Sequence, residues 1–393
     1  MCWQAGEIIR DRCLEAGEDG HTCETRAAAA RLNAANSSVA AHLTVPGTKI
    51  EEWQDAGQCR DCFLPSFGYR PGVSAQYALA LSNFDAEGGR ARFKWGFIAS
   101  SDNHRARPGT GYKPIDRLRQ TEAARVSTQW RQRLFPKGEP AAQTYVIDPE
   151  TLMNLGFAAT EMERQASFWT TGGLAAVHSQ GRSRDAIFDA LERRETYGTS
   201  GPRILLWFNT KDGTPMGGTV RADTAPVFEV KAVGAHKQKP GCPEDTFDLL
   251  GAERVQKLCA NECYNPSDER LAISRIEIIR IRPQITPDEK VEGLIEDPWL
   301  VHECPADGEG CSFTFSDPEY SQGERMSTYY ARAIQEPTER INADNLRCTY
   351  DAEGNCVKVN MCYGDDRIAA DDNCTRPVEE RAWSSPIFVE YQN

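Results

Sequence analysis

A chain of 393 residues is long enough for two domains, because single cores rarely grow past about 250–300 residues before a chain divides. A hydrophobic share of 40%, with 8 Trp and 15 Phe, gives the material for a sizeable core and leaves little room for long disorder. A formal net charge of −13 excludes attraction to nucleic acid or to an anionic membrane surface and directs the chain toward cations and small molecules.

The start, "MCWQAGEIIRDRCLEAG", reads as a helix punctuated by Gly17 and Gly20, and the alanine-rich "ETRAAAARLNAANSSVAAHL" reads as a second. A loop rich in Gly, Pro and Cys leads to "SAQYALALSNF", an apolar helix with Ser74 placed to cap it. The stretch "FKWGFIASSDNHRARPGTGYK" begins as a buried strand, by its length and by Phe93, Trp95 and Phe97, and ends in a polar loop. "GGLAAVHS" predicts a short strand and "SRDAIFDALERRE" an amphipathic helix, with Ser183 as N-cap and Ile187, Phe188 and Leu191 as its apolar face. "RILLWF" then predicts another strand. Strand, helix and strand in this order suggest a βαβ unit with parallel neighbours, so residues 1–208 read as α/β. Beyond Gly213 the runs "PVFEVKAV", "ISRIEIIRIRP", "SFTF", "STYYARAI" and "SSPIFVEY" alternate and are separated by Pro, Gly and Asp. Residues 209–393 therefore read as an antiparallel β-sandwich-like domain.

Fourteen cysteines, nine of them after Gly213, favour disulfides in an oxidising compartment, periplasmic or extracellular, over a zinc knuckle. Their connectivity is not legible, and Cys59 and Cys62 read as a structural bridge because no thioredoxin-like strand precedes them. No run approaches the roughly 18–20 apolar residues of a membrane helix. The first residues also lack a basic segment followed by an apolar one, so no signal peptide is legible.

The chemistry-bearing candidates begin at Asp102 and His104. Successive side chains of a strand alternate faces, so this pair points the same way just past the strand's end. A carboxylate and an imidazole suit Zn, Mn or Fe, but two ligands are too few for a stable site, and the plain alternative is a turn-forming Asp beside a solvated His. Arg105, Arg107 and Lys113 follow, offering either anion-binding cations or a solvated loop. His178 ends the next strand and can face the same site, whereas His42 reads as a helix-end residue and His21, His236 and His302 as surface residues. Arg203, after a Gly-Pro turn, can grip a substrate phosphate or pair with a carboxylate. Ser100 and Ser101 can at most support the metal ligands. Trp383 reads as buried, and Ser384 and Ser385 lie outside any GxSxG elbow.

Taken together, "FIASSDNHRARPGTGYK", "DCFLPSFGYRPG", "GGLAAVHSQGRSRDAIFDALERRETYGTSGPRI", "PMGG" and "RAWSSPIFVEY" resemble the bacterial domain of unknown function 3604 family. That family is related to the polymerase and histidinol phosphatase (PHP) superfamily of metal-dependent phosphoesterases. The resemblance implies a distorted (β/α)7 barrel whose metals are held by an early HxH motif, intermediate acidic and His ligands, and a late DxH motif that Asp102 and His104 match. No two of the six histidines are separated by one residue, so the early motif is missing. This implies the C-terminal part of a PHP-like barrel in 1–208, followed by the sandwich, with the first strands and a signal peptide upstream of the present start.

The resulting expectation is a metal-dependent phosphoesterase that uses divalent Mn, Zn or Fe on a small-molecule or ester substrate and is incomplete as it stands. The alternatives are a non-catalytic extracytoplasmic binding or scaffold protein, and a metal-dependent hydrolase of another ester or of sulfate. Substrate, metal and oligomeric state are not legible.

Overall fold

The computed structural model describes residues 2–36, 74–86, 90–99, 113, 173–323, 325–341, 349–350, 352, 356–358 and 375–392. In chain order the helices are α1 (Cys2–Glu15), α2 (Gly20–Asn36), α3 (Ala75–Ala80), α4 (Arg184–Glu192), α5 (Glu244–Leu250), α6 (Ala252–Cys259) and α7 (Tyr320–Gly323). The strands are β1 (Leu174–Val177), β2 (Thr196–Thr199), β3 (Leu205–Thr210), β4 (Thr219–Ala222), β5 (Phe228–Val233), β6 (His236–Gln238), β7 (Pro266–Arg270), β8 (Ile273–Ile281), β9 (Ile295–Glu303), β10 (Cys311–Phe315), β11 (Ser327–Ile341), β12 (Thr349–Tyr350), β13 (Cys356–Lys358), β14 (Thr375–Ser384) and β15 (Ile387–Tyr391). Two compact units result, one of Met1–Ser74, Asp116–Thr170 and Glu339–Pro377, the other of Ala75–Ile115, Thr171–Thr338 and Val378–Asn393.

In the first unit α1 and α2 form a hairpin closed by a Cys13–Cys23 disulfide. Asp19 caps α2, its Oδ1 accepting from the backbone N–H groups of His21 and Thr22 at 3.0 Å each, which satisfies two of the donors a helix start leaves open. Cys23, Ala27 and Ala30 follow at helical spacing and are fully buried, so the alanine run supplies a packing face as well as propensity. β12 and β13 pair as a short antiparallel ribbon.

The second unit holds an eight-stranded sheet, with the path β1-β2-β14-β11-β15-β4 and β8 pairing both β11 and β9, and a three-stranded sheet β10-β5-β3. Strands from before and after residue 208 share the large sheet. Inward residues of both sheets form one core, in which Phe228 lies 5.5 Å from Phe208 and 4.9 Å from both Phe315 and Tyr329. A second core on the other face of the large sheet gathers Leu79, Ile279, Ile281, Tyr330 and Phe388 with Trp95 and Phe97. The near-continuous run "ISRIEIIRI" follows from this: β8 is buried on both faces, Ile276 and Ile278 serving one core and Ile279 and Ile281 the other. Each such side chain contributes roughly 1.5–3 kcal/mol.

Several expectations are corrected. β1 and β2 pair antiparallel, Leu174 opposite Thr199 and Val177 opposite Thr196, and the His178 N–H extends the ladder to the Glu195 carbonyl at 2.8 Å. Helix α4 therefore sits in the connection of an antiparallel pair, and β3 joins the other sheet, so these three elements are no parallel βαβ unit. Ser183 does cap α4, its side chain accepting from the Ala186 N–H at 3.2 Å, but Phe188 and Leu191 remain exposed and Ala190 is its buried residue. The stretch from Phe93 to Ala99 carries no strand pairing; one isolated bridge, Asn83 to Ala91, precedes it, and Phe93 and Ile98 are exposed. His236, His302 and Trp383 are half-buried, the His302 ring stacking on Phe313 at 4.3 Å. Most strand pairs beyond residue 209 are antiparallel as expected, with one parallel exception, β15 with β4. Among the described residues no sheet closes into a barrel.

Candidate functional site

The segment that ends at Ala99 is fixed side chain by side chain. The Phe97 N–H donates to Ser385 Oγ at 2.8 Å, and that hydroxyl also hydrogen-bonds Thr196 Oγ1 at 2.9 Å. Arg194 Nη1 donates to the Lys94 carbonyl at 2.7 Å. Gly198 lets the segment lie directly on β2, since a Cβ there would stand 2.7 Å from that of Ala99. Backbone groups that a strand would have paired with a neighbour are thus met by side chains, and Ser385 acts as an anchor. Asp102, His104, Arg105, Arg107, Ser100 and Ser101 lie outside the described residues, as do His42, Cys59 and Cys62.

Three of the candidate cations and ligands are described, and each has partners of its own. His178 places Nε2 2.8 Å from the Leu206 carbonyl, and since a carbonyl can only accept, that nitrogen carries the proton. Its ring lies 5.4 Å from Tyr197 and 5.8 Å from Trp207, leaving Nδ1 as the one nitrogen with a lone pair to offer. Arg203 stacks on Tyr264, its guanidinium carbon 3.9 Å from the ring centroid, and among the described residues it makes no ion pair. Lys113, expected as a loop cation, is 2% exposed and fully committed. Its Nζ donates to the carbonyls of Gly241 at 2.7 Å and Cys263 at 3.1 Å and pairs with Glu262, which spends all three of its donors.

That lysine braces a cysteine cluster. Cys242 and Cys263 form a disulfide, and Cys259 Sγ lies 3.0 Å from Cys263 Sγ and 3.9 Å from Cys242 Sγ while donating to the Val255 carbonyl at 3.2 Å. Three sulfurs this close are the one group among the described residues with metal-ligand spacing, but two are bonded to each other and are not thiolates. The bridge from Cys263 reaches back past Cys259 to Cys242, a pairing that sequence spacing does not reveal.

A groove of about 590 Å³ lies on the outer face of the β10-β5-β3 sheet. Register aligns two cross-strand rows along it, Trp207 with Lys231 and Ser312, and Asn209 with Glu229 and Thr314. Lys231 Nζ sits 5.4 Å from the Trp207 ring centroid. The signal for this groove was present as alternation within three separate strands, but only the pairing register turns it into a surface.

Stem, cation candidates and half of the groove fall in one stretch of chain. Residues 82–240 match the model of a protein family of unknown function, DUF3604. The DUF3604 segment includes Asp102, His104, Arg105, Arg107, Lys113, His178 and Arg203, together with β3 and β5. No curated protein and no solved structure matches the chain. Outside and beside the DUF3604 segment, the disulfides Cys13–Cys23, Cys242–Cys263 and Cys304–Cys311 are consistent with an extracytoplasmic location. No described helix is long and apolar enough to cross a membrane.

Proposed function

We propose that this chain is a metal-dependent hydrolase of the periplasm or cell exterior, a PHP-like phosphoesterase. The observation that carries the reading is the Asp102–His104 pair, which lies inside the DUF3604 segment at the end of a stem fixed to β2 by Gly198 and Ser385. In such a site Asp102 and His104 would hold a divalent Mn, Zn or Fe ion. Arg105, Arg107 and Arg203 hold the equatorial oxygens of the substrate. A bound divalent ion supplies an acidified water at neutral pH and polarises the ester. His178 adds at most its Nδ1, Nε2 being spent on Leu206.

Two or three ligands fall short of the four of a closed zinc site, and this chain contains no HxH. The 393-residue protein is therefore expected to bind Mn or Zn weakly, with little turnover of p-nitrophenyl phosphate. Calorimetric titration with Mn tests the ligand assignment: Asp102→Ala and His104→Ala should each abolish the residual binding, and binding unchanged in both variants sinks the reading. A screen of phosphate against sulfate esters separates the phosphoesterase from a hydrolase of another ester. The groove beside Trp207 favours a second reading, a binding or scaffold protein, which predicts ligand binding that survives chelation.

A further inference from the structure

We propose that Arg92, Lys94, Arg194 and Arg221 form an oxyanion site of the phosphate class, organised around Glu390. The site does not depend on the hydrolase reading.

Charge is unbalanced around Glu390. Arg90, Arg92 and Lys94 recur at every second position of an extended segment, so they share a side. Arg92 Nη2 lies 3.2 Å from Glu390 Oε1, and Lys94 pairs with the same oxygen. From the other side, β4 runs parallel to β15 with Arg221 opposite Glu390, and Arg221 Nε reaches Glu390 Oε2 at 3.1 Å. One carboxylate thus serves three cations. Arg194 adds a fourth: its Nη1 is bonded to the carbonyl of Lys94, its guanidinium carbon lies 5.8 Å from the ring of Phe388, two residues before Glu390, and its Nε is buried with no hydrogen-bond partner.

Gathered cations repel one another, and in a partly buried setting that repulsion is large unless an anion offsets it. Burial, followed by the charge of Arg90, depresses the pKa of Arg92 against the pull of Glu390. Glu390 is itself held low, first by its hydrogen bond from Lys94. Asp223 acts on the Tyr320 hydroxyl together with Glu390 and Arg92, so a second carboxylate borders the cluster, and the four cations still outnumber the two acids. Access is one-sided, the Arg92 side chain being 10% exposed and that of Arg221 77% exposed. Arg92 spends only Nη2 on Glu390 and Arg221 only Nε, so both guanidinium forks retain donors for a tetrahedral oxyanion. A dianion meets the excess charge better than a carboxylate does.

The test is calorimetric titration of the full chain with inorganic phosphate at low ionic strength in chloride buffer containing EDTA, with sulfate as competitor. Saturable binding is expected, displaced by sulfate. Arg221→Gln, at a solvent-facing position that leaves the fold intact, and Lys94→Gln should each weaken it about tenfold or more, the scale of one charge-assisted hydrogen bond. Glu390→Gln should tighten it, because the competing carboxylate is gone; a purely structural salt bridge gives no such gain. No saturable binding up to about 10 mM phosphate, the weak limit of useful recognition, overturns the proposal. So does binding that EDTA abolishes, binding that Arg221→Gln and Lys94→Gln leave unchanged, or binding that Glu390→Gln fails to tighten.

Discussion

Asp317 shows how much a single carboxylate can organise. Its side chain is 1% exposed and accepts from Arg280 Nη1 at 2.9 Å and from the Tyr329 hydroxyl at 2.6 Å. Arg280 Nε and Nη2 donate to Glu296, Nη2 donates also to Glu319, and the guanidinium lies 4.9 Å from the Trp299 ring. Burial, then the hydrogen bond to Asp317, pushes the Tyr329 hydroxyl well above the ordinary tyrosine range. Tyr329→Phe should cost about 1–3 kcal/mol in denaturant unfolding, and Asp317→Ala about 3–5 kcal/mol, because it leaves Arg280 without its buried partner. A smaller loss for Asp317→Ala than for Tyr329→Phe would contradict this. A second residue-scale prediction concerns acid. Glu289 and Glu390 both titrate below the usual carboxylate range, through hydrogen bonds from Arg325 and Lys94 respectively. Carboxylates with depressed folded pKa values stabilise the fold above their unfolded pKa of about 4.3, and that share is lost as pH falls through the lower folded values. Stability should therefore decline below about pH 4.3, and the decline should be shallower in Glu289→Gln. An equally steep acid limb in that variant refutes the assignment. None of these partnerships was legible in the sequence, where Arg280, Asp317 and Tyr329 are merely scattered polar and aromatic positions.

At the scale of elements, the turn before β4 is the sharpest test of local design. Gly217 adopts φ +84°, donates its N–H to the Pro386 carbonyl at 2.9 Å, and leaves no room for a side chain, since a Cβ would stand 2.3 Å from the Arg194 carbonyl oxygen. Gly217→Ala is expected to cost roughly 1–3 kcal/mol in backbone strain alone, more once the contact with Arg194 is displaced, and a thermal unfolding midpoint within error of the parent would reject it. The quoted "PMGG" held that glycine without revealing why it was there. Alternation did reveal β5, β8, β10, β11 and β15, because each is a run whose side chains meet a core on one or both faces. Pairing direction was not legible. The same pattern of strand, helix and strand serves parallel and antiparallel neighbours, and only the ladder from Leu174–Thr199 to His178–Glu195 decides between them. Aromatic content misled at Phe93 to Phe97 for a related reason: Trp95 and Phe97 are partly buried, covering a core that Tyr330 of β11 and Phe388 of β15 help to build, without the hydrogen-bonded neighbour that makes a strand.

For the molecule as a whole, cysteine usage was the most informative feature of the sequence, announcing disulfides consistent with an extracytoplasmic location while saying nothing of connectivity. The bridges Cys242–Cys263 and Cys304–Cys311 both lie in the second unit but close loops of different size, with separations of 21 and 7 residues. If a bridge acts chiefly by restricting the unfolded chain, its worth grows with the logarithm of the loop, giving about 3.3 kcal/mol for the longer and about 2.4 kcal/mol for the shorter. The longer one is also braced in the fold by Lys113, whose ammonium ties the carbonyls of Gly241 and Cys263 together. Removing both of its cysteines, with Cys242→Ser and Cys263→Ser, frees that loop and loosens the buried Lys113–Glu262 pair at once. The double variant should lose more unfolding free energy than Cys304→Ser with Cys311→Ser, and by more than the roughly 1 kcal/mol that loop entropy alone allows. Denaturant titration of the two double variants decides it. An equal or reversed order would mean that Lys113 contributes nothing through the bridge, and that the buried lysine is held by the unit's packing instead.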